Sequence, residues 1–250
     1  MNIKSILLSG LFILTGCASH DPQTGERNDP FEGFNRVMFT FNFDVLDPYV
    51  LRPVAVVWKD YVPEPAKEGT SNFLYNLSEP AHMVNNLLQG EITASAKSFN
   101  RFMLNTIFGL AGLIDVAAMA NDELKRPDPQ RFGTTLGSYG VPSGPYIVLP
   151  FYGSFTITKE GGNYADTLYP MLNAVSSGWW LVGTSMVSAI DGRAKLIEQE
   201  GLLKTSSDPY ITVREAYFQR NEFLINRGQV VAPTNTQDMK AIEAELDALD

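Results

Sequence analysis

The sequence predicts a mainly helical protein with no conventional membrane-spanning helix, and three observations carry that prediction. Two segments open with an acidic residue followed by proline, Asp29-Pro30 and Asp208-Pro209, which supplies an N-cap side chain and a pre-set φ at the first helical position. Downstream of both starts, apolar residues recur at three- to four-residue intervals. The third observation is charge depletion. Phe132 to Thr158 holds 27 residues without a charged side chain and Thr167 to Ile190 another 24, whereas an ordinary soluble domain is about 25% charged. Neither stretch reads as a spanning helix: Gly133, Gly137, Gly140, Pro142, Gly144, Pro145, Pro150 and Gly153 break the first, and Pro170 and Gly178 the second. Stretches of this kind need lipid or partner contact, or unusually complete burial, and the first is the expectation.

Residues 1–16 read as a secretory signal. Lys4 provides the positive start, Ile6 to Leu14 the apolar middle and Thr15-Gly16 the small residues before a cut; the apolar run is about half the ~20 residues that a span requires. The run Leu14-Thr15-Gly16-Cys17 resembles a bacterial lipoprotein box, in which the thiol takes a diacylglycerol and the new amino group a third acyl chain. Cys17 is the only cysteine, so a disulfide has nothing to pair with. One chain anchors only marginally, at ~0.8 kcal/mol per buried CH₂, whereas three make attachment effectively permanent. Ala18-Ser19 stand after the cysteine in place of aspartate, which by resemblance to enterobacterial-type lipoproteins suggests sorting to the outer membrane. Residues 17–28 then form a polar, lipidated tether.

The body spans 29–228. Asp29, Pro30 and Glu32 have the spacing of a capping box, and Phe34, Val37, Met38, Phe41 and Val45 follow at helical spacing, with Phe39 and Phe43 on a second face. Asp47-Pro48 restarts the chain, and Pro53, Pro63 and Pro65 are expected to keep residues 47–65 from forming one long helix. Short helices are expected over 66–76 and from 79 to Gly90, the latter with Pro80 in its first turn. Ile92, Ala96, Phe99 and Met103 continue the period of 3.6. If 102–116 is helical, Asn105, Gly109, Gly112 and Asp115 form one small, polar strip on a surface otherwise built of Leu, Ile and Phe. That pattern suits a buried core helix using glycine for close approach, or a helix in lipid contact whose polar side faces inward.

Between Tyr139 and Tyr152 glycine and proline alternate with Ile147, Val148 and Leu149, which predicts a hairpin or lid and not a central strand. Trp179-Trp180 suits either a membrane interface or a soluble core. Charge returns over Asp191 to Gly201, and the helix opened by Asp208-Pro209 carries Tyr210, Val213, Arg214, Tyr217, Phe218 and Asn221 on one side until Gly228. The tail, 229–250, holds Met239, Ile242, Leu246 and Leu249 at helical spacing among acidic residues, a short amphipathic helix that either docks on the body or meets a soluble partner.

Without the leader the chain has 18 basic and 28 acidic side chains, a net charge of −10. That balance argues against nucleic acid, whose phosphates demand a basic surface. A metal site and a cofactor are not expected: histidine is limited to His20 in the tether and His82 in the body, there is no second thiol, and no Gly-x-x-x-x-Gly-Lys loop exists. No Gly-x-Ser-x-Gly elbow is present either, so a lipid hydrolase would have to be built around His82, and no catalytic residues are assigned.

The runs Asp29 to Arg36, Leu46 to Tyr49 with Arg52-Pro53, Arg101 to Asp115, Arg131 to Gly137, Gly144 to Tyr146, Leu149 to Gly153, and Ser207 to Tyr210 with Arg214 to Tyr217 together resemble the MlaA family, also called VacJ lipoproteins. The resemblance covers essentially the whole body. It implies a ring-shaped helical lipoprotein sunk in the inner leaflet of the outer membrane, on its periplasmic face, with an amphipathic channel through it. It also implies a function: removing mislocalised phospholipid from the outer leaflet and passing it to a soluble periplasmic carrier, beside trimeric porins, so that lipid asymmetry is maintained. Under this reading Asn105, Gly109, Gly112 and Asp115 are the candidate channel strip. Gly137, Gly140, Pro142, Gly144, Pro145 and Tyr146 form a candidate gate, and Phe39, Phe41 and Phe43 a candidate rim. The alternatives are a structural lipoprotein that braces porins and a lipid hydrolase.

Overall fold

The computed structural model describes residues 27–166 and 178–229. The leader, Cys17, the tether up to residue 26, the tail from 230 and the 167–177 part of the second uncharged stretch lie outside the described residues. The chain opens with α1 (Glu32–Thr40), widens into a π-helical segment (Phe41–Leu51) and continues as α2 (Arg52–Tyr61). Pro48 therefore does not restart the helix as expected. It sits in the wide turn, where the Arg52 N–H donates to the Asp47 carbonyl five residues back, and the ring avoids the clash that an α-turn would impose. The path breaks at Val62-Pro63, where extended backbone ends α2.

Helix α3 runs unbroken over Glu64–Leu88, in place of the two short helices expected there. Pro80 lies inside it and is buried. A mid-helix proline costs ~3 kcal/mol, but here α3 packs along α4 (Ile92–Ile107), and the Glu79 carboxylate beside that proline accepts from Arg101 of α4, which holds the helix together across the defect. Gly90, at φ +78°, makes the turn between the two. After α4 come α5 (Val116–Ala120), α6 (Phe132–Ser138), and a two-stranded antiparallel hairpin of β1 (Ile147–Leu149) and β2 (Gly153–Phe155), which pairs Ile147 with Phe155 and Leu149 with Gly153. The hairpin expected from the Gly/Pro punctuation is thus present. Short α7 (Gly162–Ala165) follows, then α8 (Gly178–Leu196), α9 (Glu200–Lys204) and α10 (Pro209–Ile225).

The two acid-proline starts behave differently. Asp208 caps α10 as expected, its Oδ1 accepting from the Ile211 N–H at 3.2 Å. Asp29 does not cap α1, whose first residue is Glu32. Its carboxylate is instead buried, accepting from the Tyr210 hydroxyl and, at 3.0 Å, from the Asn35 amide, with Arg214 3.7 Å away. Glu32 in turn pairs with Arg36 at 2.7 Å.

A small aromatic core joins these elements: Tyr146, Val148, Tyr210 and Phe218, with Met38, Phe39 and Tyr217 packed around them. The rest of the interior is mostly polar. Among the described residues seventeen polar or charged side chains are buried against nine apolar ones, while twenty-nine large apolar side chains are exposed. Phe108, Leu110, Ile92, Met119 and Phe151 are each at least 67% exposed. No helix among the described residues is long and apolar enough to cross a membrane.

Candidate functional site

A cavity of about 570 Å³ opens between α2, α3 and α8, with Asp115 and Arg126 completing its wall. Almost every side chain that lines it is polar or charged. The wall carries one ion pair between elements, Lys59 of α2 to Glu198 at 2.9 Å, and two within helices, Lys195 to Asp191 in α8 at 2.6 Å and Lys67 to Glu64 in α3 at 2.9 Å. Trp58 Nε1 donates to Asp191 at 3.3 Å and ties α2 to α8. Below them, Arg193 of α8 holds Asp47 at 2.7 Å and Glu200 at 2.8 Å, and Arg52 reaches the same Glu200 at 2.9 Å. These contacts fix the spacing of the helices, so the opening is a built feature of the fold.

Asp115 connects the cavity to the buried interior. Its Oδ2 accepts from Arg101 at 3.1 Å and its Oδ1 from Asn105 at 2.9 Å and from the Ala118 N–H that opens α5. Burial pushes this carboxyl upward, but the hydrogen bonds from Arg101 and Asn105 outweigh it and hold Asp115 below the usual carboxylate range. Glu79, fully enclosed on the other side of Arg101, goes the opposite way: burial raises it in spite of the guanidinium. A second buried knot joins Arg131, Asp166, Asn85 and Thr135, with Asn85 donating to Asp166 at 2.9 Å and accepting from Thr135 at 2.9 Å.

The expected polar strip does not form on one helix. α4 ends at Ile107, and the chain turns through 108–114 with Leu110, Ala111 and Gly112 all at positive φ. The turn brings the four residues together all the same. A Cβ on Gly109 would meet the Ile114 carbonyl at 2.2 Å, and one on Gly112 the Asn76 side chain at 2.6 Å, so both glycines allow the close approach that returns Asp115 to Asn105. Asn105, Gly109 and Gly112 are buried, and only Asp115 reaches the cavity.

The candidate gate is anchored at both ends. Gly137 lies against Ile225 of α10, and Tyr146 is buried in the aromatic core, where its hydroxyl meets Ser154 at 2.8 Å. Gly144 and Pro145 are buried too, which leaves Tyr139, Gly140, Val141 and Pro142 exposed. The candidate rim is divided between two faces. Phe39 and Phe43 stack at 5.3 Å and Phe39 meets Tyr210 edge-on, whereas Phe41 meets Phe151 at the hairpin tip, 5.7 Å away. Two asparagines beside them fasten the hairpin to this helix. Asn35 donates to the Tyr146 carbonyl at 3.0 Å and accepts from the Val148 N–H at 2.8 Å; Asn42 donates to the Leu149 carbonyl at 2.8 Å and accepts from the Phe151 N–H at 3.0 Å.

His82 is buried, with Nδ1 2.8 Å from the Gln130 carbonyl. Burial pushes its pKa down from 6.5 to about 4, so the ring is neutral. No cluster of three metal-ligating side chains occurs among the described residues. The cavity residues Trp58, Lys59, Arg126, Asp191 and Lys195 were not singled out from the sequence. The available signal was the spacing Glu64, Lys67, Glu68, Ser71, Asn72, a polar face on α3.

Exposed apolar side chains, a largely polar interior and a charged cavity define a helical protein that pairs its buried polar groups internally and leaves much apolar surface outside. The model of the family described as MlaA lipoprotein matches residues 27–224, and the chain belongs to that family. It is 53% identical over 247 residues to proteins from Shigella flexneri and from Escherichia coli (strain K12), covering 98% of this chain and 97% of each of them. A Haemophilus influenzae protein is 45% identical over 237 residues, 92% of this chain and 94% of its own length. All three carry the name intermembrane phospholipid transport system lipoprotein MlaA. A solved structure described as the structural basis for maintenance of bacterial outer membrane lipid asymmetry superposes with a TM-score of 0.77 at 59% identity, covering 80% of this chain and all of the other.

Proposed function

We propose that this chain is an outer-membrane lipoprotein that provides a polar path for phospholipid out of the membrane, toward a soluble periplasmic carrier. The observation that carries the reading is the inversion of polarity, with apolar side chains outside and a charged cavity of about 570 Å³ held open between helices. A protein solvated by acyl chains gains nothing by hiding apolar side chains from them, but it must pair its polar groups internally. The cavity lowers the cost of carrying a head group past hydrocarbon while the acyl tails stay in lipid. The names of the full-length relatives support the same substrate.

Attachment through acylated Cys17, cleavage of residues 1–16, the tether 17–28 and the acidic tail 229–250 complete this reading, as does a position beside trimeric porins. Passive transfer has no intrinsic direction, so the carrier and what lies beyond it set the flux. Asp115 is retained as the lumen-facing member of the strip. Residues 139–142 are proposed as the movable part of the gate, hinged between Gly137 and the buried Gly144 to Tyr146 segment and opening by release of the bonds from Thr158 to the Pro142 carbonyl and from Tyr139 to the Leu88 carbonyl. Cross-linking residue 141 to residue 158 by an engineered disulfide should stop transfer while localisation persists. Phe39, Phe41 and Phe43 are proposed to hold the rim, and polar replacements there should raise phospholipid at the cell surface.

The test is transfer from phospholipid-loaded liposomes to a soluble periplasmic carrier, read by mass spectrometry. Intact phospholipid on the carrier supports the path. Lyso-lipid or free fatty acid would make the chain a hydrolase, and no lipid movement with porin binding retained would leave a structural role.

A further inference from the structure

Four cationic side chains line the cavity, and three of them are neutralised: Lys59, Lys67 and Lys195 by Glu198, Glu64 and Asp191. Arg126 has no ion-pair partner among the described residues. Its guanidinium is aimed by neutral groups alone, with Nη1 donating to Ser71 Oγ at 3.2 Å, Nη2 to Asn72 Oδ1 at 2.6 Å, and Cζ 4.4 Å from the centre of the Tyr75 ring. This arrangement orients the cation without a direct ion pair; the carboxylates of Asp115 and Glu79 act on it only at longer range, and both are bonded to Arg101. Two of the five N–H donors are used, and the fork geometry of the remainder matches the paired oxygens of a phosphate.

A second unmatched charge lies beside it. Glu68 lines the same cavity and likewise has no ion-pair partner among the described residues. It stands three and four residues before Ser71 and Asn72 on α3, and so on the same face, one turn of about 5.4 Å away. The cavity therefore presents one guanidinium and one carboxylate without an ion-pair partner among the described residues, the carboxylate one helical turn before the residues that hold the guanidinium.

We propose that Arg126, held by Ser71 and Asn72, is a phosphodiester-binding subsite and that Glu68 receives the ammonium of the same head group, so that the cavity favours an ethanolamine-type zwitterion over a glycerol-type anion. The inference rests on the lipid-path reading above and names the head group that path selects. A phosphodiester within a lipid and free phosphate share the chemistry Arg126 recognises; Glu68 has a role only in the first.

The test uses the full acylated protein in maltoside micelles, titrated with glycerophosphoethanolamine, glycerophosphoglycerol or inorganic phosphate and followed by ³¹P NMR. The wild type should bind the ethanolamine probe several-fold more tightly than the glycerol probe. Arg126→Gln should weaken both about tenfold or more, and Glu68→Gln should weaken only the ethanolamine probe, abolishing the preference. Ser71→Asp keeps Arg126 but gives it the carboxylate it lacks, and should reproduce the loss even if Arg126→Gln does not fold. Unchanged binding in both Arg126→Gln and Ser71→Asp would overturn the site, and inorganic phosphate binding as tightly as either probe would overturn its assignment to a lipid head group. The liposome transfer assay separates the two levels. A wild type that moves no lipid removes the path and the subsite with it, whereas normal transfer and binding by both variants removes the subsite alone.

Discussion

The residue that best separates structure from chemistry is His82. Enclosed in α3 and held at Nδ1 by the Gln130 carbonyl, it stays neutral down to about pH 4, whereas in the unfolded chain it takes up a proton near pH 6.5. The unfolded state thus binds more protons between these values. Stability is full above pH 6.5 and falls on acidification toward about 4, by up to about 3 kcal/mol. Asp115, held below the ordinary aspartate range, keeps its contribution above about pH 4 and loses it only on further acidification, whereas Glu79, raised by burial, acts with the opposite sign, so the histidine is read from the difference between the wild type and His82→Gln. Urea melts in detergent at pH 7.5, 6.0 and 5.0 should show the decline, and His82→Gln should flatten it; an equal slope in the variant would place the effect elsewhere. Arg101 offers a second measurement. It is 1% exposed and serves Glu79, Asp115 and the Leu124 carbonyl, so Arg101→Met strands buried acceptors and should cost about 3–5 kcal/mol in the same melts.

At the scale of elements, the hairpin is held by side chains acting as a missing strand. Asn35 and Asn42 lie seven residues apart on the continuous α1 to π-helical path, so they face the same way and each offers β1 and its tip one donor and one acceptor. Asn35→Ala should speed hydrogen exchange of the Val148 amide by the ~1–3 kcal/mol of a lost buried partner, and Asn42→Ala that of the exposed Phe151 amide by less. Fast exchange of both amides in the wild type would show that the asparagines do not clamp the hairpin. The prolines make the converse point. Pro48 and Pro80 read as interruptions from sequence, yet the chain passes both, one through a widened turn and one because packing on α4 compensates locally lost hydrogen bonding.

For the whole molecule, the exposed apolar surface should bind membrane without any acyl chain. A Cys17→Ser form lacking the leader should float with phosphatidylethanolamine-containing vesicles, and adding Phe108→Ser with Leu110→Ser should weaken that association at least tenfold, since each side chain contributes about 1.5–3 kcal/mol when buried. Recovery of the Cys17→Ser form entirely in the soluble fraction would mean that the exterior meets something other than lipid.

Local rules sufficed wherever the determinant lies within a few residues. The Asp208-Pro209 start, the helical period over 92–107, the buried side of α10 and the punctuated hairpin could all be read directly. Long-range pairing could not. That Asp29 spends its carboxylate on Tyr210 and Arg214, that 102–116 bends so that Asp115 meets Arg101, and that Arg126 and Glu68 face one cavity unmatched all depend on partners up to 185 positions away in the chain. Charge and hydrogen-bond partners are chosen by proximity in space, and no spacing along the chain encodes which buried acid a given arginine will reach.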